Sequence, residues 1–80
     1  MDKIKLSEAA KNFKLGTYRH YKGHLCEVVG VALHSETLEE MAAYRHDNAL
    51  WVRPLAMFLE NIKIEGKEMP RFEFIAGDNR

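Results

Sequence analysis

One cysteine, two prolines and no surplus charge of either sign mark this 80-residue chain by what they exclude. Cys26 has no partner for an internal disulfide and no neighbouring cysteine for a redox or zinc pair, a usage that fits a reducing compartment. Twelve Lys and Arg residues cancel twelve Asp and Glu, so no global field draws the protein to nucleic acid or anionic lipid. The apolar runs are a few residues long, far below the roughly 20 that span a bilayer, and the start MDKIKLSEAAKNF has no continuous apolar segment of the secretory kind. The expected compartment is the cytoplasm, with no membrane association. Repeats and low-complexity tracts are also missing, which argues against a solenoid or a linker.

What is there is ordinary globular material: 46% hydrophobic and 30% charged residues, too apolar for a disordered tail. A chain this short has room for one domain and hides only roughly 60–65% of the surface it exposes unfolded, so the core must be small. The segment KIKLSEAAKNFKLG reads as a short helix, capped by Asp2 or Ser7 and stopped by Gly16, with Ile4 and Phe13 tucked against the rest. From Thr17 onward the punctuation is that of strands. TYRHYK alternates, placing Tyr18 and His20 on one side and Arg19 and Tyr21 on the other, and Lys22-Gly23 signals a turn before LCEVVGVAL, where Gly30 suits a bulge.

After the HSET turn, TLEEMAAYR reads as a strand although its composition also suits a helix. ALWVRP is a strand closed by Pro54, LAMFLEN a single helical turn, and IKIEGKEMPRFEFI a hairpin about Glu65-Gly66, alternating Ile62 and Ile64 with Phe72 and Phe74. The fold class expected is mainly β: a small barrel of about five strands with a short N-terminal helix. Residues 1–15 are read as a helical segment packed on the barrel, 16–76 as the barrel and 77–80 as a disordered tail.

The motifs YRHYKG, HSET, WVRPLxMF and PRF, within a stretch from about Gly16 to Ile75, together resemble a family of small bacterial proteins known as domain of unknown function family 1653. The resemblance implies an SH3-like β-barrel and tips TLEEMAAYR toward strand; it implies no activity. Two departures stand out. The connection between Tyr44 and Trp51, RHDNAL, is shorter than the family's, and the N-terminal helical segment lies outside the shared pattern.

Trp51 and Arg53 are two apart on a strand and so share a face, while Leu50 and Val52 take the other and make the better core pair. That leaves an indole beside a fixed guanidinium fork on an outer or groove-lining surface, suited to an anion, a carboxylate or a stacked planar group. The competing reading has Trp51 half buried with Arg53 laid over it or paired with Glu36 or Glu60. His34, Ser35 and Glu36 offer polar side chains that either close the HSET turn or meet a ligand. Arg71, at the start of the last strand, comes near Tyr18 or His20 if that strand lies beside the first. His20 and His34 meeting across strands, with Glu36 or Asp47, is the less favoured metal reading; no metal and no cofactor is expected. Cys26 is read as a small core residue, and Met57, Phe58, Met69, Phe72 and Phe74 as core.

The expected function is therefore a non-catalytic binding module. A surface bearing Tyr18, His20, His34, Ser35, Glu36, Trp51, Arg53 and Arg71 would meet a peptide, a protein partner or an anionic small molecule. Two other readings stand beside it. One is a small hydrolase-like enzyme using His34 or His20 with a carboxylate; the other is single-stranded nucleic-acid binding through Tyr18–Lys22, where aromatic and basic groups interleave.

Overall fold

Turn chemistry sets most of the strand boundaries. The computed structural model describes residues 4–77, and three of its tight turns rest on left-handed backbone: Gly23 (φ 108°), the pair Asp47 and Asn48 (φ 53° and 61°), and the pair Glu65 and Gly66 (φ 49° and 80°). Two successive residues with positive φ make the type I′ hairpin turn, whose twist matches that of the strands it joins. Between these turns run β1 (Gly16–His20), β2 (Leu25–Leu33), β3 (Glu40–His46), β4 (Ala49–Pro54), β5 (Asn61–Ile64), β6 (Lys67–Pro70) and β7 (Phe72–Gly77), with α1 (Glu8–Lys11) before them and α2 (Leu55–Phe58) after β4.

Five of the strands form one antiparallel sheet in the order β4-β3-β2-β1-β7, and β5 with β6 forms a separate two-stranded ribbon. The fold is mainly β, with the five-stranded main sheet that an SH3-like domain implies; no hydrogen-bonded ladder joins β4 to β7, so the sheet keeps two edges. β7 lies beside β1, as the placement of the last strand against the first requires. β3 bears out the strand reading of TLEEMAAYR from Glu40 onward, while Thr37, Leu38 and Glu39 stay outside the strand. The register of β2 against β3 shifts between Val28 and Gly30, so the bulge falls where Gly30 led one to expect it.

One face of the sheet is the core. Tyr18, Cys26, Val28, Ala42, Tyr44 and Phe72 point inward, and Leu55 and Phe58 of α2 with Ala10 of α1 close over them. Phe58 is the centre: it stacks on Phe72 at 4.0 Å and 6°, and meets Phe13, Tyr18 and Tyr44 at centroid distances of 5.4, 5.2 and 5.7 Å. The hydroxyl of Tyr18 donates to the carbonyl of Lys14 at 2.7 Å, which satisfies its one polar group and ties the chain before β1 to the core.

Several expectations need correction. Leu50 and Val52 are not core: they are 65% and 55% exposed. β4 pairs Trp51 with Tyr44 and Arg53 with Ala42, so Trp51 and Arg53 take the inner face and their aliphatic neighbours face out. Met57 and Phe74 are exposed and Met69 only half buried, because α2 turns a single side inward and β7 is an edge. The expected hairpin is three strands: Ile62 pairs with Met69 in β6, while Phe72 and Phe74 belong to β7, which turns away to β1. The N-terminal helix shrinks to Glu8–Lys11, leaving Ile4 exposed while Phe13 packs on the core. β7 includes Gly77, paired with Gly16; the tail at 78–80 and the capping candidate Asp2 lie outside the described residues.

Ser7 holds that short helix. Its Oγ accepts from the amide of Ala10 at 3.1 Å and donates to Glu40 on β3 at 2.6 Å, while its amide donates to the same carboxylate at 2.7 Å. These bonds hold the Glu40 carboxyl below the usual carboxylate range. Ser7→Ala is expected to lower stability by about 1 kcal/mol, the usual cost of a lost cap, read from urea midpoints. Because the Glu40 pKa is depressed in the folded state, the tether is intact above its ordinary value of 4.5 and is lost as pH falls through the lower, folded one. The difference between wild type and Ser7→Ala should accordingly shrink in acid.

Candidate functional site

β1 carries Tyr18 into the core and, two residues on, His20 to its rim. The turn at Gly23 folds the chain straight back, with the amide of His20 donating to the carbonyl of His24 at 2.8 Å. The two imidazoles therefore stack at 4.8 Å and 10°. His46, the last residue of β3 before the Asp47-Asn48 turn, brings a third imidazole 5.0 Å from His24. On β4, Trp51 is fixed by its indole Nε1, which donates to the carbonyl of His46 at 2.9 Å. The guanidinium of Arg53 lies 5.4 Å over the ring of Phe72. Together with Tyr44 and Cys26 these side chains enclose a pocket of about 220 Å³ at the edge of the core.

Hydrogen-bond partners decide what the imidazoles offer. Nδ1 of His20 accepts from the amide of Lys22 at 3.2 Å, so in the neutral ring the hydrogen sits on Nε2 and His20 meets a ligand as a donor. Nδ1 of His46 faces the carbonyl of Leu25 at 3.2 Å and must donate to it, since a carbonyl can only accept. Among the described residues no group of three or more His, Cys, Asp or Glu side chains is arranged to hold a metal ion.

The charge of the pocket is of one sign. None of its lining residues is a carboxylate. Among the described residues Arg53 makes no ion pair, whereas Arg71 reaches Glu60 at 3.0 Å; the Nε of each is sealed from solvent with no hydrogen-bond partner. Asp47, outside the lining and largely exposed, lies 3.4 Å from Nε2 of His46. Burial pushes the pKa of His20 below its ordinary 6.5, and the positive groups of His24, Arg53, Lys22 and Arg71 add to the effect. Burial also raises the Cys26 thiol, which keeps it a neutral wall of the pocket.

A family described as a protein of unknown function, DUF1653, matches residues 16–74, a span that contains every residue of the pocket. The chain belongs to the DUF1653 family. A crystal structure of a DUF1653 protein from Bordetella bronchiseptica superposes with a TM-score of 0.78 at 28% identity, covering 90% of this chain and 99% of that one. Among curated proteins none matches.

Within this DUF1653 protein, the candidate residues named from sequence divide into four groups. His20, Trp51 and Arg53 converge on the pocket. Tyr18 is 5% exposed and belongs to the core, so its ring offers no platform for a base. Arg71 lies behind His20: its carbonyl accepts from Tyr21 at 3.0 Å and its side chain is engaged by Glu60. His34, Ser35 and Glu36 lie at the far end of β2, eight residues beyond Cys26, a span on the order of 25 Å for an extended strand. There Nδ1 of His34 accepts from the amides of Glu36 and Thr37 at 3.1 and 3.3 Å, closing the turn. Neither the His20–His34 meeting nor a pairing of Arg53 with Glu36 or Glu60 is realised.

Sequence reasoning missed His24, His46 and Tyr44 as parts of one site. The sequence does carry a signal for His20 with His24, since a Gly turn folds flanking residues onto each other. His46 had none, because only the pairing of β3 with β2 brings it there.

The depressed pKa of His20 makes stability pH-dependent with a definite sign. The unfolded chain binds a proton near pH 6.5 while the folded site resists it, so stability is expected to fall as pH drops through and below 6.5. Thermal melts at pH 7.5 and 5.5 should show this loss, and His20→Gln should reduce it.

Proposed function

We propose that this protein is a non-catalytic binding module that takes a small anion in the pocket between the ends of β1 and β3 and the edge strand β4. A single observation carries the reading: Arg53, half buried and lacking any carboxylate partner among the described residues, lines a pocket that holds three imidazoles and no carboxylate. A half-buried guanidinium is ordinarily paired with an acid; an incoming anion supplies the missing counter-charge. The volume of about 220 Å³ is below the ~300–1,000 Å³ typical of sites for drug-sized molecules, which favours a small ligand over a peptide. The lone, buried Cys26 suits a cytoplasmic protein, and among the described residues no helix is long and apolar enough to cross a membrane.

The test is the melting temperature in sodium formate, acetate or phosphate against sodium chloride at equal ionic strength and pH 6. A ligand bound by the native state alone raises stability with its concentration, by about 2.7 kcal/mol at a hundred times its Kd. The reading expects at least one of the three to raise the melting temperature. No response to any of them, nor to a larger carboxylate, would overturn it.

A further inference from the structure

The walls of the pocket carry a second signal, in the shape of their side chains. Six of its eight lining residues present aromatic rings, the other two being Arg53 and Cys26, and none is aliphatic. We infer that the anion taken by this pocket is a small aromatic carboxylate, its acid group against Arg53 and His20 and its ring against the indole of Trp51, with Phe72 backing the guanidinium. The inference rests on the anion-binding reading and narrows it to a ligand class.

The rings are held before any ligand arrives. Trp51 is pinned through its Nε1 to the carbonyl of His46 at 2.9 Å, Phe72 is backed by Phe58 at 4.0 Å, and His24 is fixed between His20 and His46 at 4.8 and 5.0 Å. Surfaces fixed in this way lose little freedom on binding. An alicyclic acid of similar size would bury comparable area but miss the ring–ring contacts, a difference of roughly 2- to 10-fold in affinity. Arg53 is the one permanently charged lining group, and its planar fork matches a carboxylate in two parallel bonds. A monoanion balances that charge. The volume of about 220 Å³ suits a single ring with its acid group.

Trp51 is the one tryptophan of the chain, so intrinsic fluorescence reports directly on the pocket. Excited above the absorption of the ligands, the protein should be titrated with sodium benzoate, cyclohexanecarboxylate and acetate, and with neutral benzamide, melting temperatures being read in parallel. Benzoate is expected to bind roughly 2- to 10-fold more tightly than cyclohexanecarboxylate, with acetate weakest and benzamide without effect. In Trp51→Leu, read by melting temperature, the ratio of benzoate to cyclohexanecarboxylate affinity should fall toward about one if ring contact is its source. Equal binding of benzoate and cyclohexanecarboxylate by the wild type overturns the aromatic inference and leaves the anion reading standing. Benzamide binding as well as benzoate overturns the inference and removes the role of Arg53. Silence toward all three acids and toward phosphate overturns both.

Discussion

Phe58→Ala is expected to lose about 3–5 kcal/mol of stability, the usual cost of truncating a fully buried phenylalanine. The site gives no room for relief. Phe58 is 1% exposed and its ring is held by Phe13, Tyr18, Tyr44 and Phe72, which belong to different elements and cannot close together over the void. At about 0.05–0.15 kcal/mol per residue, an 80-residue domain has roughly 4–12 kcal/mol in all. The variant should therefore be marginal or unfolded at 37 °C, which urea unfolding followed by far-UV circular dichroism would show. Phe58→Leu fills most of the space and should lose much less. A loss below about 1 kcal/mol for the alanine variant, the range of surface changes, would refute the central position given to Phe58. The pocket should weaken with the core, because the outer face of Phe72 meets Arg53 while its inner face rests on Phe58.

The second large effect is on binding. Arg53→Met should weaken anion binding by roughly 10- to 150-fold, the equivalent of one charge-assisted hydrogen-bonded contact of about 1.5–3 kcal/mol. Its stability in the absence of ligand should be unchanged or higher. The substitution removes a guanidinium whose Nε has no partner, and a methionine side chain can still cover Phe72. A variant that binds less yet melts no lower separates a functional group from a structural one; if Arg53 were a brace, both properties would fall together. Arg53→Lys should be intermediate, keeping the charge but losing the planar fork. Titration of His20 by NMR adds an independent check. Arg53 is among the groups that depress its pKa, so Arg53→Met should move that pKa back toward 6.5, and an anion in the wild-type pocket should do the same. Binding then takes up a proton, and affinity rises as pH falls below 6.5.

The segment ALWVRP shows how far a two-residue period can be trusted. It is extended, it ends at Pro54, and Trp51 and Arg53 do share a face. Which face would be covered was misjudged, because Leu50 and Val52 are the more apolar pair by composition. β4 is an edge strand whose inner side reaches the core only at its rim, beside Ala42 and Tyr44. There the half-buried guanidinium of Arg53 and the Trp51 indole, whose residue stays 49% exposed, fit, while the aliphatic pair faces outward at 65% and 55% exposure.

Local chemistry in the chain determined the turns, the strands and their alternation, since left-handed turn residues, Pro54 and the period of two act over a few bonds and need no distant partner. The assembly of the pocket was decided elsewhere. His20 and His24 come from one turn, His46 from the end of β3 and Arg53 from β4, and their meeting depends on the register of β2 on β3 and of β3 on β4. A register shift of one residue would send each of these side chains to the opposite face without altering any strand's own pattern, so only the paired sheet fixes which charges and rings share a cavity.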